Sequence, residues 1–512
     1  MQNGGNGRKE FLGIVCDLYI IAILAVLPLY TGGTYYLIGD SKYFIFRNVS
    51  LFCLGIWLLL TLGAGVWRVL TRRGWEWWKT TATGSSIVDI AMISYSVCVL
   101  LSALQSAYTK TAWLGYRDWY MGAVSQLFFV GIYFFISRNY SGSKISIYLG
   151  EAALLSVALL SFANRLGIDP LRLFAGYTER DWEYSHMLST VGNINWLCGY
   201  MGVAIAFPLA GYLGSENKLR KVVLFCVSAA GMALLMLQGS DVGIALTAAA
   251  ILICLLIGQL PLYRRHLKTF SQRGALLAAV TALLIGTIGQ MMRLRGTIQA
   301  MPADSPLQGR LTWGGWWVIS ILFFFLCILM QVVPERILRL SMGAVSIVGM
   351  LSALGGAVWY LTGHPFTDSW GSSRGSLWAA AWRGFREAGW LQKLIGAGPD
   401  CFAEYIYRIM PSWEVSQIEG FWEGSIYANA HNEWLTLLVD VGVLGTAAYL
   451  GIFLGALKRY RGMLLAVFAL VLYGVNSLVS FQQVLNAPVL FVALGLCEYR
   501  LRRENSAVVK ND

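Results

Sequence analysis

Charge is scarce in this chain. Only 13% of its 512 residues are Asp, Glu, Lys or Arg, about half of the ~25% usual in a soluble domain. No polar stretch exceeds about 70 residues, which leaves no room for a separate soluble domain of ordinary size. Histidine is scarcer still: four residues, His186, His266, His364 and His431. Most of the nine cysteines, Cys53, Cys98, Cys226, Cys254 and Cys327 among them, fall inside apolar runs, and only Cys401 lies clearly in a loop on the expected outer side. That excludes a disulfide framework. No CxxC or Cys/His spacing suits a metal. No internal repeat is visible, which speaks against the inverted-repeat plan of many secondary transporters. The N-terminal apolar run is too long for a signal-peptide core, and no small-residue cleavage site follows it.

What the chain has is hydrophobicity, 57% apolar residues with a mean hydropathy of +0.59. Runs of roughly 18–22 apolar residues recur throughout, long enough to cross a ~30 Å hydrocarbon layer. Hydropathy gives about fourteen of them, near 11–31, 50–70, 86–105, 118–137, 145–163, 192–214, 221–238, 242–258, 274–290, 314–333, 340–361, 432–457, 462–480 and 484–499. The sequence therefore predicts an all-α polytopic membrane protein with a large extracytoplasmic loop at about 362–431. With the N-terminus inside, short inside segments hold 24 of the 39 basic residues, Arg72, Arg73, Arg264, Arg265 and Lys458 among them. This is the positive-inside bias, and it sets the net charge of +12 against a membrane rather than nucleic acid. An even number of crossings puts both termini in the cytoplasm.

The 362–431 segment is rich in Trp and Arg. Residues 374–390 read as an amphipathic helix with Leu377, Trp378, Ala381, Trp382 and Phe385 on one broad face, suited to a membrane surface. Gly396-Ala397-Gly398-Pro399 should stop it. Arg374, Arg383 and Arg386 offer cations for phosphate oxygens; a solvated or headgroup-facing role is the plain alternative for Arg383 and Arg386. Gly451 and Gly455 fit close helix packing.

Chemistry concentrates at Ala430-His431-Asn432-Glu433-Trp434-Leu435, where a polar loop enters an apolar helix. Asn432 is a good N-cap, and Glu433 in the first turn suits the helix dipole. A histidine beside the positive end of a helix should stay neutral and accept a proton; a purely capping histidine is the alternative. Glu433 and Asp440, seven residues apart, share a face about 10 Å long. Asp440 would lie inside the membrane, where a carboxylate needs a partner or a watery cleft. An ion pair with an arginine of a neighbouring element is the structural reading.

The segment 430–435, continued by Leu437-Leu438-Val439-Asp440-Val441-Gly442-Val443-Leu444-Gly445, resembles the C-terminal signature of the O-antigen ligase and O-antigen polymerase superfamily. Arg374-Gly375-Ser376-Leu377-Trp378, then Gly396-Ala397-Gly398 and Phe402, is similar to its Arg-x-x-x-Trp and Gly-x-Gly-x-x-x-Phe pattern. Gly192-Asn193-Ile194-Asn195 is similar to its Gly-Asn-x-Asn element. Together these cover roughly residues 190–450. The resemblance implies a GT-C-like membrane glycosyltransferase, with residues 1–190 as N-terminal transmembrane helices, 191–460 as the ligase-like core, and 461–512 as C-terminal helices and a cytoplasmic tail. It implies transfer or polymerisation of an undecaprenyl-diphosphate-linked glycan onto a sugar, lipid or protein acceptor. The reaction would occur at the outer face of the bacterial cytoplasmic membrane, in cell-surface polysaccharide biosynthesis, without a metal or other cofactor and with inversion. Carried over, His431 is the catalytic base, with Glu433 beside it, and Arg374 is the diphosphate ligand. Asn195, Asp241 and Asp440 are further substrate-binding candidates. Where many members read Ser-Arg-Gly, this chain reads Ser240-Asp241-Val242, so a second cation must come from Arg310, Arg383 or Arg386, and Asp241 would instead meet acceptor hydroxyls. A lipid-linked oligosaccharide flippase or other transporter is the competing reading, with Asp17, Asp89 and Glu151 as its candidate intramembrane charges. A non-catalytic scaffold would leave the 430–435 cluster unexplained.

Overall fold

The computed structural model describes residues 2–70, 85–178, 180–297, 309–345, 370–421 and 426–508, with a few isolated positions between them. It is built almost wholly of helices. Among the described residues, nine helices are long and apolar enough to cross a membrane: Gly7–Leu29, Tyr35–Trp67, Ile87–Gln105, Ile145–Arg165, Ile194–Gly214, Lys218–Leu237, Asp241–Gln259, Pro261–Arg295 and Gly315–Val332. Each coincides with an expected run, although Tyr35–Trp67 begins well before position 50. The remaining runs give shorter or more polar helices, Ala123–Asn139, Gly442–Arg459, Leu464–Ser477 and Ala487–Val508. Most of the expected run 340–361, and His364, lie outside the described residues.

Burial divides the helices into inner and outer sets. Ile194–Gly214 is 83% buried at its most apolar window, whereas Gly315–Val332 is only 11% buried. A helix this apolar with its surface turned outward is at odds with water and suited to hydrocarbon. The chain is a membrane-embedded protein. Two runs that read as single helices are broken. Pro208 has no N–H to offer the carbonyl of Ala204, and the first run divides into Ile194–Ala204 and Ala206–Gly214 at Ile205. The second divides into Glu433–Asp440 and Gly442–Arg459, with Gly442 at φ +66°.

The 362–431 segment was expected as a loop with one helix. Its described part holds four: Trp370–Glu387, Trp390–Ile395, Phe402–Ile409 and Ser412–Phe421. They close over a small core of Leu377, Ala380, Ala381, Phe402 and Ile406. The buried seam of the first helix keeps Leu377 and Ala381 of the expected face but is completed by small residues, Ala380 and Gly384, instead of Trp382. A Cβ on Gly384 would lie 2.3 Å from Ile406, and Trp382 points outward at 54% exposure. The first helix also stops at Glu387, ahead of Gly396, which instead ends the second helix at φ +83°.

Gly396–Asp400 then docks into the break at Val441. The Ala397 amide donates to the Val439 carbonyl and that of Gly398 to the Asp440 carbonyl, both at 2.9 Å. The outgoing end of helix 87–105 braces this joint: Ser102 Oγ donates to the Asp440 carbonyl (2.7 Å), Gln105 to the Gly396 carbonyl (2.5 Å), and Ser106 Oγ to the Ala397 carbonyl (2.7 Å). The other end of that helix starts in a capping box between Ser86 and Asp89. There Asp89 pairs with Arg138 (2.9 Å) and Arg502 (2.6 Å), while Glu498 pairs with Arg459 (2.6 Å) and Arg502 (2.7 Å). Four helices are thus pinned by ions at one end, and the glycine joint lies about 28 Å away along a 19-residue helix. Gly451 and Gly455 serve packing as expected, each facing helix 87–105 with an added Cβ at 3.7 Å.

Gly442 is the sharpest test of the joint. A Cβ there would lie 2.5 Å from the Leu394 backbone, at a positive φ. Gly442→Ala should cost roughly 2–4 kcal/mol of stability. Gly474→Ala, with open space around the new carbon, should shift stability by no more than about 1 kcal/mol. Thermal unfolding in detergent compares the two, and equal midpoints would contradict the tight joint.

Candidate functional site

The site grows from the glycine joint. Beyond Gly398 the chain turns through Asp400, at φ +61°, and its amide donates to Asp440 Oδ2 at 3.0 Å. Asp400 Oδ2 in turn accepts the amides of Tyr116 (2.7 Å) and Met121 (2.8 Å). One carboxylate therefore pinches both ends of the 116–121 turn, in which Asp118 and Tyr120 also have positive φ. Burial pushes the Asp400 carboxyl up to about 7, against the pull of those two amides.

Asn432 caps the helix Glu433–Asp440, its Oδ1 accepting the Leu435 amide at 3.0 Å, as the sequence led us to expect. Its Nδ2 donates to the Leu478 carbonyl (2.9 Å), which ties the cap to the end of helix 464–477. His431, just before the cap, sits at φ +48°, its amide held by Asn429 Oδ1 (3.0 Å). Of the six non-glycine residues with positive φ among those described, four surround this region: Asp118, Tyr120, Asp400 and His431. Such clustering of unfavourable backbone marks sites where the surroundings enforce geometry.

The half-buried His431 ring lies between Tyr427 (centroids 5.6 Å apart) and Phe481 (5.1 Å). The stack runs on from Phe481 to Trp119 (4.6 Å) and from Trp119 to Trp196 (6.1 Å). Burial, and then the Arg374 guanidinium nearby, hold the imidazole down to about 3. It is neutral, but for reasons other than the helix end invoked from the sequence. Arg374 also acts electrostatically on Tyr427 and on the Cys198 thiol. Cys198 contacts Ser240 Oγ (3.3 Å), and Gln238 donates to both (3.0 and 2.6 Å). Cys198 in the helix Ile194–Ala204, Arg374 in the helix Trp370–Glu387 and Tyr427 and His431 in the loop before Asn432 are thus coupled electrostatically, with Ser240 held against Cys198.

The other candidates fare differently. Asn193 caps helix 194–204 by accepting the Asn195 amide (2.8 Å), while the Asn195 side chain makes no hydrogen bond among the described residues. Asp241 is exposed in the first turn of its helix, one residue beyond Ser240. Glu433 is buried and faces Tyr449 (2.6 Å) and Tyr473 (3.0 Å), which donate to it. Asp440 has no arginine partner among the described residues, and its neighbour is the turn at Asp400. Arg383 is paired with Glu414, and Arg386 is exposed. Neither joins Arg374. Asp17 contacts Ser141, Asp89 pairs with two arginines and Glu151 with Arg220, so none of the three is a lone intramembrane charge. His186 stacks on Trp182 (4.3 Å) and His266 on Phe270 (5.3 Å). Sequence reasoning missed Trp119, Phe481 and Asp400. The first two carry no local motif; Asp400 directly follows the Gly-Pro turn, a signal that was available.

Compared with known proteins, the chain matches no family model and no curated relative.

Asp400 gives two linked predictions. Its folded value of about 7 lies above the ordinary ~3.9 of an aspartate. The native state then holds a proton that the unfolded state has released, and this contribution to stability fades as pH rises from about 4 through 7. Asp400→Asn, which keeps an acceptor for the two amides, should remove that pH dependence with little loss of stability. Asp400→Ala strands both amides and should cost about 2–4 kcal/mol. Thermal midpoints across pH for the three proteins decide this, and a wild-type midpoint that rises over the same window would contradict the assignment.

Proposed function

We propose that this protein is a membrane glycosyltransferase that moves a polyprenyl-diphosphate-linked glycan to an acceptor hydroxyl, at the side of the membrane opposite its basic loops. The observation that carries this reading is His431, held at positive φ in a half-buried loop at the end of an apolar bundle and within electrostatic reach of the Arg374 guanidinium. His431 and Arg374 come from two of the segments that carry the resemblance to O-antigen ligases and polymerases, and their electrostatic coupling supports the reading. The Asp89–Glu498 ion cluster, rich in Arg138, Arg459 and Arg502, lies at the other end of helix 87–105. The positive-inside bias assigns that end to the cytoplasm.

The chemistry asks for two things. A diphosphate leaving group needs positive charge where its own charge develops, and Arg374 supplies it. The attacking hydroxyl needs a proton acceptor, and His431 supplies one. The hydroxyl oxygen forms a bond to the anomeric carbon as the bond from that carbon to the diphosphate oxygen breaks. The electron pair leaves with the diphosphate, the proton passes to the imidazole, and the configuration inverts. In the empty site the imidazole is too weak a base for this. A bound diphosphate changes that: it neutralises the arginine that helps depress His431, and its own charge favours the imidazolium. Proton abstraction is thereby tied to the presence of the donor.

With purified protein and lipid-linked repeat units, His431→Ala should slow transfer by about 10²–10⁴-fold while the protein still inserts. A growing ladder of products identifies a polymerase; one transfer to a second acceptor identifies a ligase. Undiminished transfer by the variant would refute the role of His431. Arg374→Gln should raise the donor KM. It should also move the acid limb of kcat/KM upward, toward the ordinary imidazole value of about 6.5, because one of the two causes of the depression is removed. An unchanged acid limb would show that the two groups do not communicate.

A further inference from the structure

The ring stack at His431 continues into parts of the chain that the transfer step does not use. Phe481 and Trp119 stand face to edge at 4.6 Å. Trp119 rides on the 116–121 turn that Asp400 pinches shut. Next to it, the Asp118 carboxyl touches that of Asp40, and Tyr120 donates to Asp40 at 2.8 Å. Trp119 and Phe481 also form part of the wall of a partly open cleft. Gln126, Asn429, Asp440 and Gln482 line it as well. Asp440 is only 4% exposed, and its Oδ1 accepts no hydrogen bond among the described residues. A buried carboxyl oxygen without a partner is costly, and a guest hydroxyl, which can both donate and accept, would satisfy it in either protonation state.

Charge sorts the two sides of His431. Arg374 is the cation on one side. Around Trp119 on the other, the acids Asp40, Asp118, Asp400 and Asp440 outnumber the nearby Arg117, which disfavours a second phosphate there. Aromatic faces that cover a sugar's C–H surface, together with carboxylates and amides that take its hydroxyl hydrogens, are the chemistry of pyranose recognition. We propose that the Trp119–Phe481 platform and its surrounding carboxylates form a binding subsite for an uncharged pyranose, the acceptor end of the glycan. The word acceptor rests on the transfer reading above; the sugar binding does not.

The test uses the full chain in lipid nanodiscs. Saturation-transfer NMR is recorded with methyl glycosides of glucose, galactose and N-acetylglucosamine, and with the repeat oligosaccharide released from the native cell's envelope. Wild type should transfer saturation to at least one of these. Trp119→Ala should weaken binding about tenfold, the loss of ~1.4 kcal/mol, and Trp119→Phe, which keeps a ring face, should largely retain it. Asp118→Asn, on an exposed side chain, should weaken binding too, and decides the matter should Trp119→Ala not fold. In the transfer assay, Trp119→Ala should raise the acceptor KM about tenfold and leave the donor KM unchanged. No saturation transfer to any probe in wild type overturns the subsite, as does full binding by the Trp119→Ala and Asp118→Asn proteins. Sugar binding that depends on Trp119, in a protein that transfers nothing, keeps the subsite and overturns the transferase reading instead.

Discussion

The arrangement depends on one backbone pairing, the Gly396–Asp400 strand laid into the interrupted helix at Val439–Gly442. A helix break inside an apolar bundle leaves carbonyls without partners, and such groups are expensive away from water. Here the incoming amides of Ala397 and Gly398, with Ser102 Oγ, answer the Val439 and Asp440 carbonyls. Only glycine fits the contact on either side, because a Cβ at Gly396 would lie 2.1 Å from the Asp440 oxygen and one at Gly442 would lie 2.5 Å from Leu394. From that joint Asp400 reaches the 116–121 turn, and the continuous helix backward from Asp440 ends at the Asn432 cap and His431. The site inherits its geometry from a repair of broken helix hydrogen bonding.

The same pairing explains where buried charge goes. The chain has few charges, and several of the acids it buries fall into two groups. In one, Asp89 and Glu498 are neutralised by arginines from neighbouring helices. In the other, acids outnumber cations: Asp400 and Asp440 meet amides, and Glu433 meets tyrosine hydroxyls. Acids satisfied by neutral donors do not cancel charge, so that group keeps capacity for polar guests where the first has none.

The sequence exposed what is local. Apolar runs of helix length located the nine long helices among the described residues, and Asn432 declared itself as a cap because capping acts over three residues. The break before Pro208 was not read from the sequence, although a missing amide donor was there to signal it. Contacts between distant segments were not legible: Asp400 and Tyr116 are 284 residues apart, and no periodicity records such a pairing. Arg383 and Arg386 illustrate the limit from the other direction. Spacing made them helix neighbours, but only packing could reveal that Glu414 takes one and that the other faces outward. Arg374 was reached through its resemblance to a motif, and its place beside His431 follows from how helix 370–387 closes over Phe402 and Ile406, which spacing does not encode.

A histidine as depressed as His431 invites the objection that it is simply a buried ring with no chemistry to do. The backbone argues otherwise. A ring needed only for packing could be supplied by phenylalanine on a relaxed turn, with no reason for φ +48° or for an asparagine that holds the amide. The ring also lies next to a positive charge, which raises the free energy of its protonated form in the empty site. That juxtaposition is unfavourable for a structural histidine wherever protonation would matter and useful where an anion arrives to reverse it. On the transfer proposed above, the depression belongs to the unoccupied site, and the arrival of a diphosphate would be the event that makes the imidazole basic.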